Sequence, residues 1–392
     1  MNAFAAGSAA ATPRNWIVPR HGPLTPAPSG DSWFVTRYAD AMSVLRNPLV
    51  GPTEPWNAIA RVGQRAGRDF SGLANLLQGM LFSPNDPDHP GLRTLVRKAL
   101  AQSGPAFAPD VVSAVVRDRL AAARHASQVE AMEDICRAIP TAVMSNALGI
   151  SPDTVKAIRK ASLSIFPVYA RALPLTVLAE LEADAIAAES AILDELSRAE
   201  GALAALADLN RAGFGFPTRT LARYIFFLVL AGVETLTGLF GNMILLLHLN
   251  PGAREAVAAD RQLIAPFVEE AVRYAGPMRQ AAPRLAMADT MVGDHPVKKG
   301  DMLLVDLEQA HHDPVAFSEP ERFDVGREGP PNIAFGVGAH ACLGAALGRL
   351  EARIFLDAML DEPPMVPLKP ELEWERHVSF RRLQRLEVTF RA

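Results

Sequence analysis

Phe335-Gly336-Val337-Gly338-Ala339-His340-Ala341-Cys342-Leu343-Gly344 runs into a strong helical pattern expected from Cys342 to Leu360. The glycines open backbone angles closed to other residues and let the chain come close to a flat partner. A cysteine at the mouth of a helix sits where the backbone dipole favours the thiolate. A thiolate is a soft, electron-rich ligand suited to iron. Loop N–H groups can point at the sulfur and tune the metal, and Phe335 can pack against a planar macrocycle. A glycine loop around a buried structural cysteine would share each feature singly; the ten-residue spacing separates the two readings.

That spacing resembles the haem-binding signature of the cytochrome P450 superfamily, Phe-x-x-Gly-x-x-x-Cys-x-Gly with a His two before the Cys. Phe335, Gly338, His340, Cys342 and Gly344 all match. The resemblance implies haem b as cofactor and Cys342 as the axial ligand of its iron, since cysteinate donation favours O–O cleavage. It implies a mainly α fold with small β-sheets. In that fold, a triangular helical prism, the haem lies between a long central helix and the helix after the Cys loop.

Two further patterns sit where the family has them. Glu270-Ala271-Val272-Arg273 places two opposite charges three apart on one helix face. By resemblance they join Arg322, in Pro320-Glu321-Arg322-Phe323, as a buried structural network behind the haem. Alone, such a pair is usually solvated and worth little. Ala231-Gly232-Val233-Glu234-Thr235 lies midway along a long apolar segment. Helix packing, with Thr235 bonded back to a carbonyl, is one reading. The other is that small residues open space over the iron, and the family resemblance makes Glu234 and Thr235 an acid–alcohol pair that relays protons to bound oxygen.

Haem propionates are anions that take His or Arg partners. His89 and Arg93, four apart at a helix start, Arg284 after Ala282-Pro283, and His340 are the candidates. For the substrate pocket the candidates are Phe227, Leu230 and Ala231 on the long helix, Met278 to Ala282 including Gln280, Trp56, residues 73 to 82, and Ser379-Phe380. Several of these would serve equally well as plain core. Arg279 or Gln280 would meet a polar substrate group. Between Arg273 and Arg284 there is one residue more than the usual family spacing.

The rest of the chain agrees. The 392 residues are 49% hydrophobic and 21% charged with net charge −4. This is an ordinary globular composition, without the basic excess of a nucleic-acid binder. Two cysteines, Cys136 and Cys342, make no disulfide framework and suit a reducing compartment; Cys136 reads as a buried thiol. Residues 1 to 25 read as a mobile tail and 26 to 392 as a single catalytic domain. Tyr224 to Leu249 is long enough to span a bilayer. Glu234 in its middle argues instead for the central helix of a large soluble, cytoplasmic protein.

Strands are expected at Trp33 to Thr36 and Leu386 to Phe390. Helices are expected at Tyr38 to Leu45, Leu92 to Leu100 (starting from Asp86 to Pro90), Pro109 to Ala123, Met132 to Ala147, Pro152 to Ser164, and Leu178 to Ala199. A helix opened by Pro217 runs to Leu249, and two more fill Arg254 to Tyr274. Residues 49 to 82 read as a long loop with short helices and 306 to 341 as mostly loop, and Lys299-Gly300-Asp301 as a hairpin turn.

By resemblance, such an enzyme uses O2 and two electrons to oxidise a C–H bond of a largely apolar organic substrate. With no flavin domain in the sequence, a ferredoxin and an NAD(P)H-dependent ferredoxin reductase would supply the electrons. Arg97, Lys98, Arg349 and Arg353 are candidates for docking an acidic carrier, or are ordinary solvated charges. A haem-thiolate peroxygenase, a haem-thiolate catalyst of another reaction and a haem-binding sensor are the competing readings. The intact Glu234-Thr235 pair speaks against them.

Overall fold

Pro217 fixes the start of a 32-residue helix, Thr218–Leu249, and Asn250 ends it with its N–H on the Leu246 carbonyl. The helix is apolar on nearly every face because protein surrounds it. Phe226, Phe240, Met243 and Ile244 are buried in the main core. The segment with membrane-like hydropathy is therefore a core helix. The computed structural model describes residues 24–26, 32–81, 89–102, 104–126, 128–169, 172–375, 377 and 379–391. The expected tail up to residue 23, the Asp86-Pro87-Asp88 helix start and residue 82 lie outside them.

Around this axis pack Ala138–Leu148, Pro152–Ile165, Leu175–Ser197, Ile264–Ala275 and Ala345–Asp361, with Pro109–Arg124 outside, against Ala138–Leu148 and Ala345–Asp361. The contact with Ala345–Asp361 is marked by Phe240 stacked on Phe355 at 4.2 Å. Glycines admit two neighbours closely: a Cβ at Gly232 would lie 3.0 Å from the Met144 sulfur and one at Gly241 2.6 Å from the Met132 sulfur. Gly232 thus admits Met144 at a close helix contact. Met132–Arg137 is one π-helical turn leading into Ala138–Leu148. Cys136 lies there, fully buried, with burial pushing its thiol pKa up. Both cysteines are free.

A second, smaller core lies under a five-stranded sheet in the order Leu24–Pro26, Ser32–Val35, Met302–Val305, Arg284–Ala286, Val50–Pro52. Its central pairing is parallel, Ser32 opposite Met302 through Val35 opposite Val305. The first strand begins at Leu24, inside the expected tail.

The short helices expected within residues 49 to 82 are Pro55–Ala66 and Ser71–Gln78, their apolar faces buried. The structure corrects three other expectations. A helix at Gly201–Gly213 was hidden by its glycine ends. The hairpin turns at Gly293-Asp294 between Thr290–Val292 and His295–Val297, whereas Lys299-Gly300-Asp301 leads into the larger sheet. The last helix begins at Ala345, which leaves Cys342 on the loop before it.

Candidate functional site

The Cys loop is shaped by its own backbone. The Cys342 N–H donates to the Phe335 carbonyl at 2.7 Å, Gly336 to Ile333 at 2.9 Å, and Ala341 to Gly338 at 3.1 Å. Gly336 and Gly338 have φ of 67° and 78°, a region side chains resist. Gly338 is needed twice over, because a Cβ there would lie 2.9 Å from the Leu45 carbonyl oxygen. The Gly344 N–H bonds toward the Cys342 sulfur. Burial raises the Cys342 pKa, and this N–H, Arg93 and Arg349 pull it back toward the thiolate.

The loop is held from behind. Glu270, 4% exposed, accepts from Arg273 Nε and Nη2 at 2.7 and 2.8 Å, from the Asp324 N–H at 2.9 Å and from Arg327 Nε at 3.0 Å. Arg273 also donates to the carbonyls of His311, Pro320 and Arg322. The third charge of this network is Arg327, not Arg322. Arg322 sits on a turn with its side chain exposed, donating to Glu319 at 3.4 Å, and only its carbonyl faces the network. His311 was not foreseen. Burial and Arg273 lower its pKa to about 3, so it is neutral, and its Nε2 accepts the Ile333 N–H at 2.8 Å. Ile333 in turn holds Gly336, which links the buried charges to the loop.

The four propionate candidates converge. Arg93 Nη2 donates to the Ala341 carbonyl at 2.6 Å, and the His89 ring lies 4.9 Å from that of His340. Burial lowers the His340 pKa to about 4, aided by the charges of Arg284, His89 and Arg93. Arg284 is 7% exposed, its Nη1 has no partner, and burial lowers its pKa to about 10. A buried guanidinium nitrogen without an acceptor, in a cluster that also holds the Arg93 guanidinium, is an unfavourable arrangement unless an anion joins it. The donor set therefore fits a thiolate-ligated haem with its propionates at this cluster. Arg349, expected as a docking charge, pairs with Glu269 at 2.6 Å and lies over the Phe335 ring at 4.2 Å. On the same helix Glu351 is buried with Oε2 unpaired, and burial raises its pKa to about 8.

On the facing side, Phe227, Ala231 and Thr235, four residues apart, are partly accessible, as are Leu228 and Gly232 beside them, while Val229, Leu230, Val233 and Glu234 are buried. Leu230 is packed in the main core instead. Trp56, Leu73, Leu76, Leu77, Met80 and Leu81 are also buried in the apolar clusters. The Thr235 hydroxyl donates to the Ala231 carbonyl at 2.6 Å.

One turn further along, the chain at Pro277 to Ala281 crosses the helix beside Ser379 to Arg381. Arg279 N–H bonds the Ser379 carbonyl at 2.7 Å and Arg381 N–H the Pro277 carbonyl at 2.8 Å. Gly238 leaves room for Pro277, and Asn242 Nδ2 donates to the Ala275 carbonyl at 2.7 Å. Gln280, Ser379 and Phe380 are thus gathered on one ribbon, with Phe380 against Phe166 at 4.9 Å. Arg279 is engaged by Glu308 at 3.1 Å, which also binds Arg381. Glu234 is 2% exposed and ion-paired with Arg382, a partner no local spacing announced.

The family model described as Cytochrome P450 matches residues 202–362. Cytochrome P450 107B1 of Saccharopolyspora erythraea is 28% identical over 91% of this chain and 89% of its own. Cytochrome P450 monooxygenase PikC of Streptomyces venezuelae is 29% identical over 93% and 86%. Among solved structures, the tirandamycin C-bound P450 monooxygenase TamI superposes with a TM-score of 0.78 at 27% identity, covering 92% of this chain and 90% of that one.

Proposed function

Because the chain belongs to the cytochrome P450 superfamily, and is a haem-thiolate monooxygenase with haem b as cofactor, we propose that it oxidises a C–H bond of a small to medium, largely apolar organic molecule. The observation that carries this reading is the row Phe227, Ala231 and Thr235, an apolar wall ending in a hydroxyl. PikC, TamI and the Vitamin D(3) 25-hydroxylase of Pseudonocardia autotrophica make a bulky apolar substrate a reasonable extension. Residues 26 to 392 act as one catalytic domain in the cytoplasm, with electrons from NAD(P)H through a ferredoxin reductase and a ferredoxin.

When bound, the haem supplies the activation of dioxygen. The chain supplies the rest. Cys342 would ligate the iron, with the Gly344 N–H moderating the charge on its sulfur. His89, Arg93, Arg284 and His340 would hold the propionates, and Phe335 would pack on the ring. Glu270, Arg273 and Arg327 keep the loop from shifting. Thr235 Oγ1, now bonded to the Ala231 carbonyl, is the group that would hold a proton, replenished from Glu234. Phe227, Ala231, Gln280, Ser379 and Phe380 exclude water and orient the substrate.

The test is an optical spectrum of the purified protein, reduced and exposed to carbon monoxide, followed by titration of the oxidised form with a library of apolar compounds. A strongly red-shifted Soret band and a low- to high-spin shift with one class of compounds are expected. An imidazole-type band would overturn the ligand assignment. Spin shifts confined to small polar compounds would overturn the substrate class.

A further inference from the structure

We propose that Arg382 is a latch on Glu234 and that Glu375 allows the latch to open, which makes both positioning residues for proton delivery. This rests on the reading that Glu234 and Thr235 deliver the proton. Glu234 is buried, with one oxygen on Arg382 Nη1 and the other, Oε1, without a partner. Arg382 has a 1% exposed side chain and gives its other arm, Nη2, to Glu375 Oε2 at 2.7 Å. Phe380 lies under the guanidinium at 5.7 Å. Glu375 is 25% exposed and so stands between this buried cluster and solvent.

A carboxylate that feeds a proton to Thr235 must leave its counter-ion at some point in each cycle. With a single partner, that movement would strand a buried guanidinium, which is strongly unfavourable. With Glu375 on the second arm, Arg382 keeps a negative partner while Glu234 turns toward the Thr235 row. Arg's planar fork permits this; a lysine in its place would bind as a point charge. Among the described residues Arg382 is the one cation paired with Glu234. His377 alongside is neutral: its Nδ1 accepts the Ser379 and Phe380 N–H groups at 3.1 and 3.0 Å, and burial with Arg382 lowers its pKa to about 4.

The test uses full-length holoprotein with a surrogate ferredoxin couple and oxygen as the only acceptor, and reads NADH oxidation in light and heavy water. Glu375→Gln is expected to slow it by on the order of tenfold, a part of what a positioned acid supplies, and to raise the solvent isotope effect. Glu234→Gln slows it further, and the double variant is no slower than Glu234→Gln alone, as for residues acting through one another. A wild-type rate and isotope effect in Glu375→Gln beside a slow Glu234→Gln overturns the latch and leaves the acid. A wild-type rate in Glu234→Gln overturns both. Independently of turnover, Arg382→Met in the oxidised holoprotein is expected to show a protonated-carboxyl infrared band that is lost when Glu234→Gln is added; its absence overturns Arg382 as the counter-ion.

Discussion

Glu270 and Glu234 are both buried carboxylates paired with arginine, on opposite sides of the site. Glu270 has both oxygens occupied, by two guanidinium groups and a backbone N–H. Glu234 has one oxygen on Arg382 and the other unbonded. The first arrangement cannot be altered without exposing several partners at once, which suits a group that fixes the height and tilt of a loop. The second leaves an acceptor unsatisfied, at a cost of about 1–3 kcal/mol, which suits a group that must change partners. Equal burial therefore does not mean equal rigidity.

Substitutions on the loop side should have the larger effects. Cys342→Ser is expected to abolish the thiolate-type carbon monoxide spectrum and all monooxygenase activity; a retained signature would remove Cys342 from its role. Glu270→Gln should lower stability by about 3–5 kcal/mol, because it strands two buried guanidinium groups; equilibrium denaturation measures it. If Glu270→Gln costs no more than Glu234→Gln, the contrast drawn above fails.

Glu351 tests the helix beneath the loop. Its folded pKa of about 8 exceeds the ordinary 4.5, so the folded state keeps a proton that the unfolded chain releases as pH rises. Stability should fall between about pH 4.5 and 8 through this group, by on the order of a few kcal/mol, and level off beyond. Glu351→Gln should flatten that part of the stability–pH curve; an unchanged slope would mean that Glu351 is already ionised.

Arg327→Ala should cost about 1–3 kcal/mol, the loss of buried bonds with Glu270 still paired to Arg273. Arg322→Ala should stay within about 0.5 kcal/mol, as an exposed side chain does. Reversed magnitudes would restore Arg322 to the network. Thr235→Ala should change stability by about 1 kcal/mol or less, with haem retained but electrons diverted to peroxide. Fully coupled product formation in that variant would count against the relay.

Legibility in the sequence followed the same division. Cys342, Glu270-Arg273 and Glu234-Thr235 are visible because each chemistry is carried by residues a few positions apart. Arg327, His311 and Arg382 are not, because each bonds its partner across 57, 22 and 148 residues, and only the packed chain brings them together. Arg322 misled because a turn carries its side chain outward while its carbonyl faces in. Among the helices, Thr218–Leu249 was readable from its length. Pro55–Ala66 was readable only as a short helix without bounds, since its interior glycine breaks the pattern yet packs against the Arg68 carbonyl and Phe70.

The parallel pairing of Ser32–Val35 with Met302–Val305, and the seat of Gly338 against the Leu45 carbonyl, also set an order of events in time. Synthesis proceeds from the N-terminus at roughly 5–20 residues per second, so the earliest strands wait between about a quarter of a minute and a minute for their neighbours. During that wait the apolar face of Tyr38–Arg46 lacks most of its cover, Val292, Leu303, Val305 and Leu307 among it, and such distant pairings form slowly. The loop that presents Cys342 takes its final shape only after both ends of the chain have met. Loading of the prosthetic group is then a late, post-synthetic step, and the interval before it is when a growing chain of this kind is most exposed to aggregation.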